Sequence, residues 1–253
     1  MKIEVIIWDV DGTLWRNEKL SKIIGEYFID YLSKFLKISR KKAKILFFEG
    51  GKKWYSWSKT VANFCGVDEK KLILEIEEKI NKSLYLKEDI KLIKTFISLK
   101  NYRHLILTNG SYNSTLLVLK KIGFSSKKET INGQKYTGSY RKKFDFFPFE
   151  QIFSSDKLSA IKPEKIVFKK ILDFTGLPAD RHLMIGDSAY VDLYNAKKIG
   201  MKTCLVYSNN ANYYNWVDFY LPDVYSVPLI FNKKIFFLKI FKKIESLIKK
   251  ILI

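Results

Sequence analysis

The sequence predicts an α/β protein with a parallel sheet, and the prediction depends on where its apolar runs end. Residues 3–8 form a near-continuous apolar run that is followed directly by Asp9 and Asp11, as expected of a strand buried on both faces of a parallel sheet. Apolar runs at residues 104–107 and 183–185 also end in short polar segments. Because open α/β sheets bind ligands at the carboxyl ends of their strands, these polar segments are the candidate functional positions.

Asp9 and Asp11 lie at the end of the first predicted strand. Two carboxylates two residues apart on a strand end point the same way, and Gly12 lets the backbone turn sharply beside them. The pair can form a catalytic or metal-binding pocket. The simpler interpretation is that both acids cap a turn before a helix.

Residues 15–86 show helical periodicity and form an insertion between the first strand and the next sheet element. Apolar residues recur at three- and four-residue intervals along a first helical face, at Ile23, Ile24, Tyr27, Phe28, Tyr31, Leu32 and Phe35. A second face contains Leu72, Ile73, Ile76 and Ile80, with Glu75, Glu77, Glu78 and Lys79 predicted to face outward.

The chain then returns to the sheet with alternating helices and strands. The pattern predicts a helix at residues 90–100, a strand at 104–107, and a helix that begins after the N-cap residue Ser111. It continues with a strand at 151–154, a helix with Pro163 in its first turn, a strand at 183–185, a helix at 192–199 ended by Gly200, and strands at 203–207 and 219–221.

The two histidines and two cysteines are predicted to lie away from any active site. His104 and His182 begin their strands, at the opposite end from the acids, which argues against a Ser-His-Asp hydrolase or a histidine-rich metal site. Cys65 and Cys204 are predicted to be reduced core residues of a cytoplasmic protein. The apolar amino terminus carries an acid and has no cleavage site, so no signal peptide is expected.

The chain of 253 residues carries 46 Lys and Arg against 26 Asp and Glu, a net charge of +20. The lysines are scattered along the whole chain, which favours a solvated surface over a nucleic-acid interface. A positive field would still attract phosphorylated substrates. No uncharged run reaches the length that is needed to span a bilayer.

Four short motifs occur in order along the chain. They are Asp9-Val10-Asp11-Gly12-Thr13, Thr108 with Asn109, Lys162 followed by Pro163, and Asp187 with Asp192. Together they closely resemble the motifs of the haloacid dehalogenase superfamily of hydrolases, over roughly residues 1–225. The resemblance implies a Rossmann-like parallel-sheet core at residues 1–15 and 87–228 with an inserted helical cap at 16–86. Such a cap closes over the active site and excludes water.

The resemblance also implies a Mg²⁺-dependent phosphatase that acts on a small phosphorylated metabolite. Asp9 would be the nucleophile that forms an aspartyl-phosphate, and Asp11 would protonate the leaving oxygen and then activate water. Asp9, the Asp11 backbone carbonyl and Asp187 would hold Mg²⁺, with Asp192 as a further ligand or in support. Because the dehalogenases lack an acid two residues after the nucleophile, Asp11 favours phosphoryl transfer.

Further roles follow for the other motifs and for the segment after Asp11. Thr108 and the Asn109 amide would bind phosphoryl oxygens, and Lys162 would offset the repulsion between carboxylates and phosphate. Arg16 follows the first motif and could contact a substrate, or else form a surface ion pair. The phosphonate-cleaving and phosphotransferase branches stay open, the former because any cap lysine could form the Schiff base.

Three segments are left with competing interpretations. Trp54 and Trp57 are either cap core or ligand contacts presented by a mobile turn at Gly50-Gly51. The basic segment 125–147, with the hairpin signal Asn132-Gly133, is a solvated loop, a partner contact or an oligomer contact. The basic amphipathic segment 231–253 packs on its own domain or a second subunit, or makes the chain a binding protein for an anionic membrane or nucleic acid. Monomer and homodimer are both left open.

Overall fold

The computed structural model describes residues 2–125, 130–131, 134–135, 146–207 and 214–232. The strands are β1 (Val5–Trp8), β2 (Arg103–Leu107), β3 (Thr130–Ile131), β4 (Gln134–Lys135), β5 (Phe149–Phe153), β6 (His182–Gly186), β7 (Lys202–Val206) and β8 (Phe219–Leu221). The α-helices are α1 (Glu18–Phe35), α2 (Arg40–Trp54), α3 (Trp57–Cys65), α4 (Glu69–Lys79), α5 (Ile90–Ser98), α6 (Tyr112–Lys121), α7 (Ser155–Leu158), α8 (Lys165–Thr175) and α9 (Asn195–Lys198). Four other helical segments are a π-helical turn at Ala189–Tyr194 and 3-10 turns at Lys82–Tyr85, Ala179–Arg181 and Val224–Ile230.

Six strands form one parallel sheet in the order β5-β2-β1-β6-β7-β8. The predicted α/β fold with a parallel sheet and a helical insertion is confirmed. The chain runs from β1 outward to β2 and β5, and then crosses back to β6 on the other side of β1. This reversal places a crevice at the carboxyl ends of β1 and β6, where such sheets bind ligands.

The central strand is buried on both faces, as its apolar composition predicts. Ile6 and Trp8 join the core cluster that contains Phe96 of α5, whereas Val5 and Ile7 join the cluster that contains Phe168 of α8. Alternate residues of a strand point to opposite faces, so a run of apolar residues is needed when helices cover both faces. The three paired strands β1, β2 and β6 all satisfy this requirement.

The insertion consists of the four packed helices α1 to α4, in agreement with its periodicity. Each helix begins at a side chain that accepts a hydrogen bond from a backbone N–H in the first turn, namely Asn17, Ser39, Ser56 and Asp68. Such caps satisfy donors that have no partner within the helix. The core cluster that holds Trp8 continues through Leu14 into these helices.

The prediction that Glu75 and Glu77 face outward is wrong. Glu75 accepts a hydrogen bond of 3.0 Å from the Tyr27 hydroxyl on α1. The Glu77 side chain is only 6% exposed and forms an ion pair with Lys82. A carboxylate can be buried when hydrogen bonds and an opposite charge compensate its lost hydration, and a helical pattern read from one element does not reveal such partners.

Several predicted boundaries are also corrected. The strand expected at 151–154 begins earlier, at Phe149, and the helix after Pro163 begins at Lys165 with Glu164 at its N-cap position. Pro163 therefore precedes the helix instead of lying in its first turn. The helix predicted from Asp192 begins with the π-helical turn that contains this residue. Gly200, at φ +100°, follows the last helical turn as expected.

The glycine pair Gly50-Gly51 lies inside α2, so the proposed mobile turn is wrong. A Cβ atom on Gly50 would approach Thr60 Cγ2 to 2.4 Å, which shows that α2 and α3 are in close contact at this position. Trp54 packs edge-on against Phe64, and Trp57 lies against Phe47. Both tryptophans therefore serve cap packing, although Trp57 stays 39% exposed.

The remaining structural expectations concern histidines, cysteines and hairpins. His104 contacts Trp8, and His182 contacts the Thr175 hydroxyl, both within the fold as predicted. Cys65 and Cys204 are buried free thiols.

Strands β3 and β4 pair antiparallel on either side of Asn132-Gly133, as its turn signal predicts. In the part of the chain that the structure describes, no helix is both long and apolar enough to cross a membrane.

Two basic segments lie largely outside the described residues. Most side chains of the segment 125–147 and residues 233–253 of the amphipathic tail lie outside the described residues. The expectations of a partner, oligomer or membrane contact for these segments therefore stay predictions.

Candidate active site

The loop after β1 forms the floor of the site. The Asp9 backbone N–H donates to the Ile185 carbonyl on β6 at 2.9 Å, and the Asp9 carboxylate accepts from the Thr13 hydroxyl at 2.7 Å. Gly12 adopts φ +86°, and a Cβ atom at that position would come within 2.3 Å of Asp187 Oδ2. Gly12 thus provides both the left-handed turn and the space that lets Asp187 approach the loop.

Lys162 lies between two carboxylates. Its side chain is 2% exposed, and its ammonium donates to Asp9 Oδ1 at 2.5 Å and to Asp192 Oδ1 at 2.8 Å. Burial alone would lower the pKa of Lys162, but the charges of Asp192 and Asp9 raise it above its ordinary value. The side chain is therefore a permanent cation next to Asp9.

Asn109 holds Lys162 in place. Its side-chain carbonyl accepts from the Lys162 backbone N–H at 2.7 Å, and its side-chain N–H donates to the Lys162 carbonyl at 3.0 Å. The side chain of Asn109 thus forms hydrogen bonds with the backbone of Lys162. The binding of phosphoryl oxygens by Asn109 stays a prediction.

Three acids form one cluster at the carboxyl ends of β1 and β6. Oxygen atoms of Asp9, Asp187 and Asp192 all lie within 4.8 Å of one another. Burial raises the pKa of Asp9 to about 6, against the lowering effect of Lys162. Burial, followed by the charges of Asp9 and Asp192, raises the pKa of Asp187 well above its usual value. Lys162 therefore does not compensate all of the negative charge in this cluster.

The donor set fits a hard divalent cation. Mg²⁺ prefers carboxylate and carbonyl oxygens, and the cluster offers three carboxylates together with the backbone of the Asp9 loop. The raised pKa of Asp187 indicates negative charge that a cation would stabilise. Asp192 is further oriented by the Ser188 N–H, which donates to its Oδ2 at 3.0 Å.

Thr108 closes β2 beside the same edge of the sheet. It is 3% exposed, its backbone N–H donates to the Phe153 carbonyl, and its hydroxyl accepts from the Gly110 N–H at 3.1 Å. Because β2 pairs in parallel with β1, the carboxyl ends of the two strands meet at one edge. The sequence-predicted motifs therefore converge on a single crevice.

Asp11 faces the cap, unlike the three clustered acids. One carboxylate oxygen accepts from Trp15 Nε1 at 3.1 Å, and the other accepts from Lys82 Nζ at 2.5 Å. Lys82 also donates to Glu77, which accepts from the Ser111 backbone N–H at 2.9 Å. Neither Lys82 nor the inward direction of Glu77 is predictable from the local sequence. Lys82 follows the end of α4, and its separation of 71 residues from Asp11 provides no local signal.

Arg16 is an exposed residue that follows the first motif. Its guanidinium lies 4.5 Å from the centroid of the Tyr207 ring, in a cation–π contact. Among smaller effects, its charge lowers the pKa of Asp187 against the dominant effect of burial. Arg16 therefore acts electrostatically on the acid cluster, while a substrate contact stays a prediction.

The model of one protein family, described as haloacid dehalogenase-like hydrolase, matches residues 3–200. The chain belongs to the haloacid dehalogenase-like hydrolases. The match spans β1, the helical insertion and the segments that carry Thr108, Lys162 and Asp187. The resemblance that the four motifs predicted is thereby confirmed.

This haloacid dehalogenase-like hydrolase shares part of its sequence with two curated relatives. It is 36% identical over 91 residues to a glyceraldehyde 3-phosphate phosphatase of Pyrococcus furiosus, a match that covers 35% of this chain and 38% of that relative. It is 44% identical over 55 residues to the protein of the same name from Pyrococcus abyssi, over 22% of this chain and 23% of that relative. The chain therefore aligns with well under half the length of each curated relative.

Solved structures confirm the fold of the hydrolase. A haloacid dehalogenase-type phosphatase from Thermococcus onnurineus superposes with a TM-score of 0.58 at 22% identity, over 90% of this chain and 98% of the other. An L-2-haloacid dehalogenase from Xanthobacter autotrophicus superposes with a TM-score of 0.56 at 12% identity, over 91% and 99% of the two chains. Since enzymes of different chemistry share this fold, the reaction has to be argued from the site residues.

Proposed function

We propose that this hydrolase is a Mg²⁺-dependent phosphatase that acts through an aspartyl-phosphate on Asp9. The observation that carries the proposal is the pair of acids Asp9 and Asp11, each held by different partners. Asp9 lies in the acid cluster beside Lys162, while Asp11 contacts Trp15 and the cap residue Lys82. Two carboxylates in different environments can perform two different roles.

The proposed reaction has two steps. In the first, an Asp9 oxygen attacks phosphorus, the bond to the ester oxygen breaks, and Asp11 donates a proton to the departing alkoxide. In the second, Asp11 takes a proton from water, which attacks the phosphorus of the aspartyl-phosphate and releases inorganic phosphate and free Asp9. Lys162 and the Thr108 hydroxyl stabilise the charge on the phosphoryl oxygens.

Mg²⁺ would be held by four groups: Asp9, the Asp11 backbone carbonyl, Asp187 and Asp192. The bound ion would neutralise part of the negative charge that the acids and the phosphate bring together. Ser188 and Lys162 orient Asp192 for this role. Gly12 keeps the space through which Asp187 reaches the site.

We further propose that the substrate is a small phosphorylated metabolite and that the hydrolase works in the cytoplasm. The partial likeness to proteins named glyceraldehyde 3-phosphate phosphatase supports a small phosphate monoester. The two buried thiols, Cys65 and Cys204, are suited to a reducing compartment. We also propose that residues 16–86 form a cap domain and that residues 1–15 and 87–228 form the core. Residues 229–253 then form a separate tail.

The phosphonate-cleaving alternative requires a cap lysine with a neutral amine. Lys82 is a cap lysine that contacts Asp11, but it forms ion pairs with both Asp11 and Glu77. Although burial lowers the pKa of Lys82, the charges of Asp11 and Glu77 raise it above its ordinary value. A protonated amine cannot form a Schiff base, so Lys82 itself does not support the phosphonate-cleaving alternative.

The Asp9→Asn variant tests the proposed function. With Mg²⁺ and p-nitrophenyl phosphate, we expect the substitution to lower kcat by at least about 10³-fold, because the amide cannot accept the phosphoryl group. Release of p-nitrophenol is the measurement. The matched control is Asp173→Asn, an exposed acid on α8, which should leave kcat unchanged. Equal turnover by the wild type and Asp9→Asn would refute the assignment.

A further inference from the structure

Lys82 is an ammonium buried where the cap meets Asp11. Its side chain is 8% exposed, and its Nζ lies 2.5 Å from Asp11 Oδ2 and 3.1 Å from Glu77 Oε1. A lysine is very rarely buried so completely unless its charge has a specific partner. Here the partner is the residue that the proposed reaction uses as proton donor to the leaving group.

Glu77 ties this lysine to the core. Its second carboxylate oxygen accepts from the backbone N–H of Ser111 at 2.9 Å, next to the segment that carries Thr108. The Lys82 ammonium is therefore held between Glu77 of α4 and Asp11 of the core, and Glu77 is in turn held by the Ser111 loop. A group that is held in place in this way can recognise a ligand with little further loss of conformational entropy.

The ammonium keeps capacity for one more acceptor. Lysine carries three N–H donors, and within the described ranges the structure gives this one two acceptors, Asp11 and Glu77. A cavity of about 410 Å³ borders Lys82 and Glu77 and is also lined by Asn81, Ser83 and Ser114. The lining includes Lys82 and Ser111 but not Asp11, so this open space lies on the Glu77 side of the ammonium.

We propose that Lys82 is a specificity-determining residue that binds an oxygen atom of the leaving group. This oxygen is a hydrogen-bond acceptor on the carbon next to the one that carries the phosphate ester. The inference rests on the proposed function, because it assumes that Asp11 protonates the ester oxygen. Two oxygens on adjacent carbons of a substrate lie within hydrogen-bonding distance of each other. Asp11 and Lys82 are also in direct contact, so Asp11 can face the ester oxygen while the Lys82 ammonium faces the neighbouring oxygen. The substrate class is then phosphate monoesters of vicinal hydroxy, carbonyl or carboxylate compounds.

A pair of substrates that differ in this oxygen tests the proposal. Propane-1,2-diol 1-phosphate carries the vicinal hydroxyl, whereas 1-propyl phosphate lacks only that group, and p-nitrophenyl phosphate serves as a reference for turnover. For the wild type with Mg²⁺, we expect kcat/KM for propane-1,2-diol 1-phosphate to exceed that for 1-propyl phosphate by about 10-fold or more, the factor that one hydrogen bond to a charged group can supply. Lys82→Met should reduce this ratio to near one, and Lys82→Arg should restore part of it.

Controls separate recognition from folding and from the reaction itself. Lys79→Met removes an exposed cation at the end of α4, three residues before Lys82, and should keep the wild-type ratio. The double variant Lys82→Met with Glu77→Gln removes both charges together, which avoids a buried unpaired carboxylate, and it too should show a ratio near one. A wild-type ratio near one overturns the proposal, as does a ratio that survives in the Lys82 variants while both rates fall together. If the wild type hydrolyses none of the three esters, the proposed phosphatase function is refuted, and this inference with it.

Discussion

At the scale of single residues, the partners of two buried side chains, Lys162 and His104, define their ionisation. Lys162 stays charged between Asp9 and Asp192, while His104 stays neutral between Trp8 and the Leu99 carbonyl. Because the Trp8 indole N–H can only donate, His104 Nδ1 accepts and Nε2 carries the proton toward Leu99. The first arrangement serves the site, and the second serves the core below it.

His104 leads to a prediction about stability and pH. Burial lowers the pKa of His104 to about 4, below its value of about 6.5 in the unfolded chain. The neutral ring therefore stabilises the fold fully above pH 6.5, and this contribution is lost as the pH falls toward 4. We expect His104→Phe to flatten the decline, so that the free energy of unfolding falls by about 3 kcal/mol less than in the wild type between pH 7 and pH 4.

Urea unfolding at the two pH values measures this difference. The comparison is made within each protein, so the loss of the Trp8 hydrogen bond in the variant cancels. Parallel pH profiles for the wild type and His104→Phe would contradict the prediction.

At the scale of elements, two cap helices, α2 and α3, come into close contact at Gly50. Gly50 of α2 lies where a methyl group would approach Thr60 Cγ2 to 2.4 Å, whereas a methyl group on Gly51 would find Trp57 Cδ1 at 3.8 Å. Both glycines lie inside the same helix, and alanine is the better helix former at either position. Only the packing against α3 distinguishes them.

The matched variants Gly50→Ala and Gly51→Ala therefore should differ in sign. We expect Gly50→Ala to lower the free energy of unfolding by about 1 to 3 kcal/mol, because the helices must separate to admit the methyl group. Gly51→Ala should raise it by up to about 1 kcal/mol, the ordinary gain of alanine in a helix. Denaturant unfolding of both variants gives the two values, and equal effects would show that the glycines are not distinguished by packing.

At the scale of the whole molecule, the sheet brings together acids that repel one another. Asp9 and Asp187 follow two neighbouring strands, and the pKa of each is raised, mainly by burial. A raised folded pKa stabilises the protein below the unfolded value near 4, and this contribution is lost as the pH rises through about 6. Without a cation, the ionised cluster is therefore least favourable near neutral pH.

Mg²⁺ should relieve this repulsion in a pH-dependent way. We expect saturating Mg²⁺ to raise the Tm by several degrees at pH 7.5 and by less than half as much at pH 5, because cation binding requires ionised carboxylates. Thermal unfolding with and without the ion measures both shifts. The variant Asp187→Asn should lose most of the shift at pH 7.5. A Tm shift of the same size at both pH values would count against a cation site at these acids.

The sequence by itself determined the elements whose signals are local. The apolar runs predicted β1, β2 and β6, and the helical insertion followed from its periodicity. The motifs predicted Asp9, Thr108, Lys162 and Asp187 as candidate site residues. These signals are readable because a strand buried on both faces requires apolar residues in sequence, and a helix requires them at its own period. The parallel direction of the strands then brought the motifs to one edge.

Only the tertiary structure decided which side chains support the site. Lys82 reaches Asp11 across 71 residues of sequence, and Asn109 reaches the Lys162 backbone across 53. The inward direction of Glu77 likewise depends on Lys82 and on the Ser111 N–H of the core. Burial of a charge is favourable only when its partner is in place, and those partners meet through packing between elements, which no pattern within one element contains.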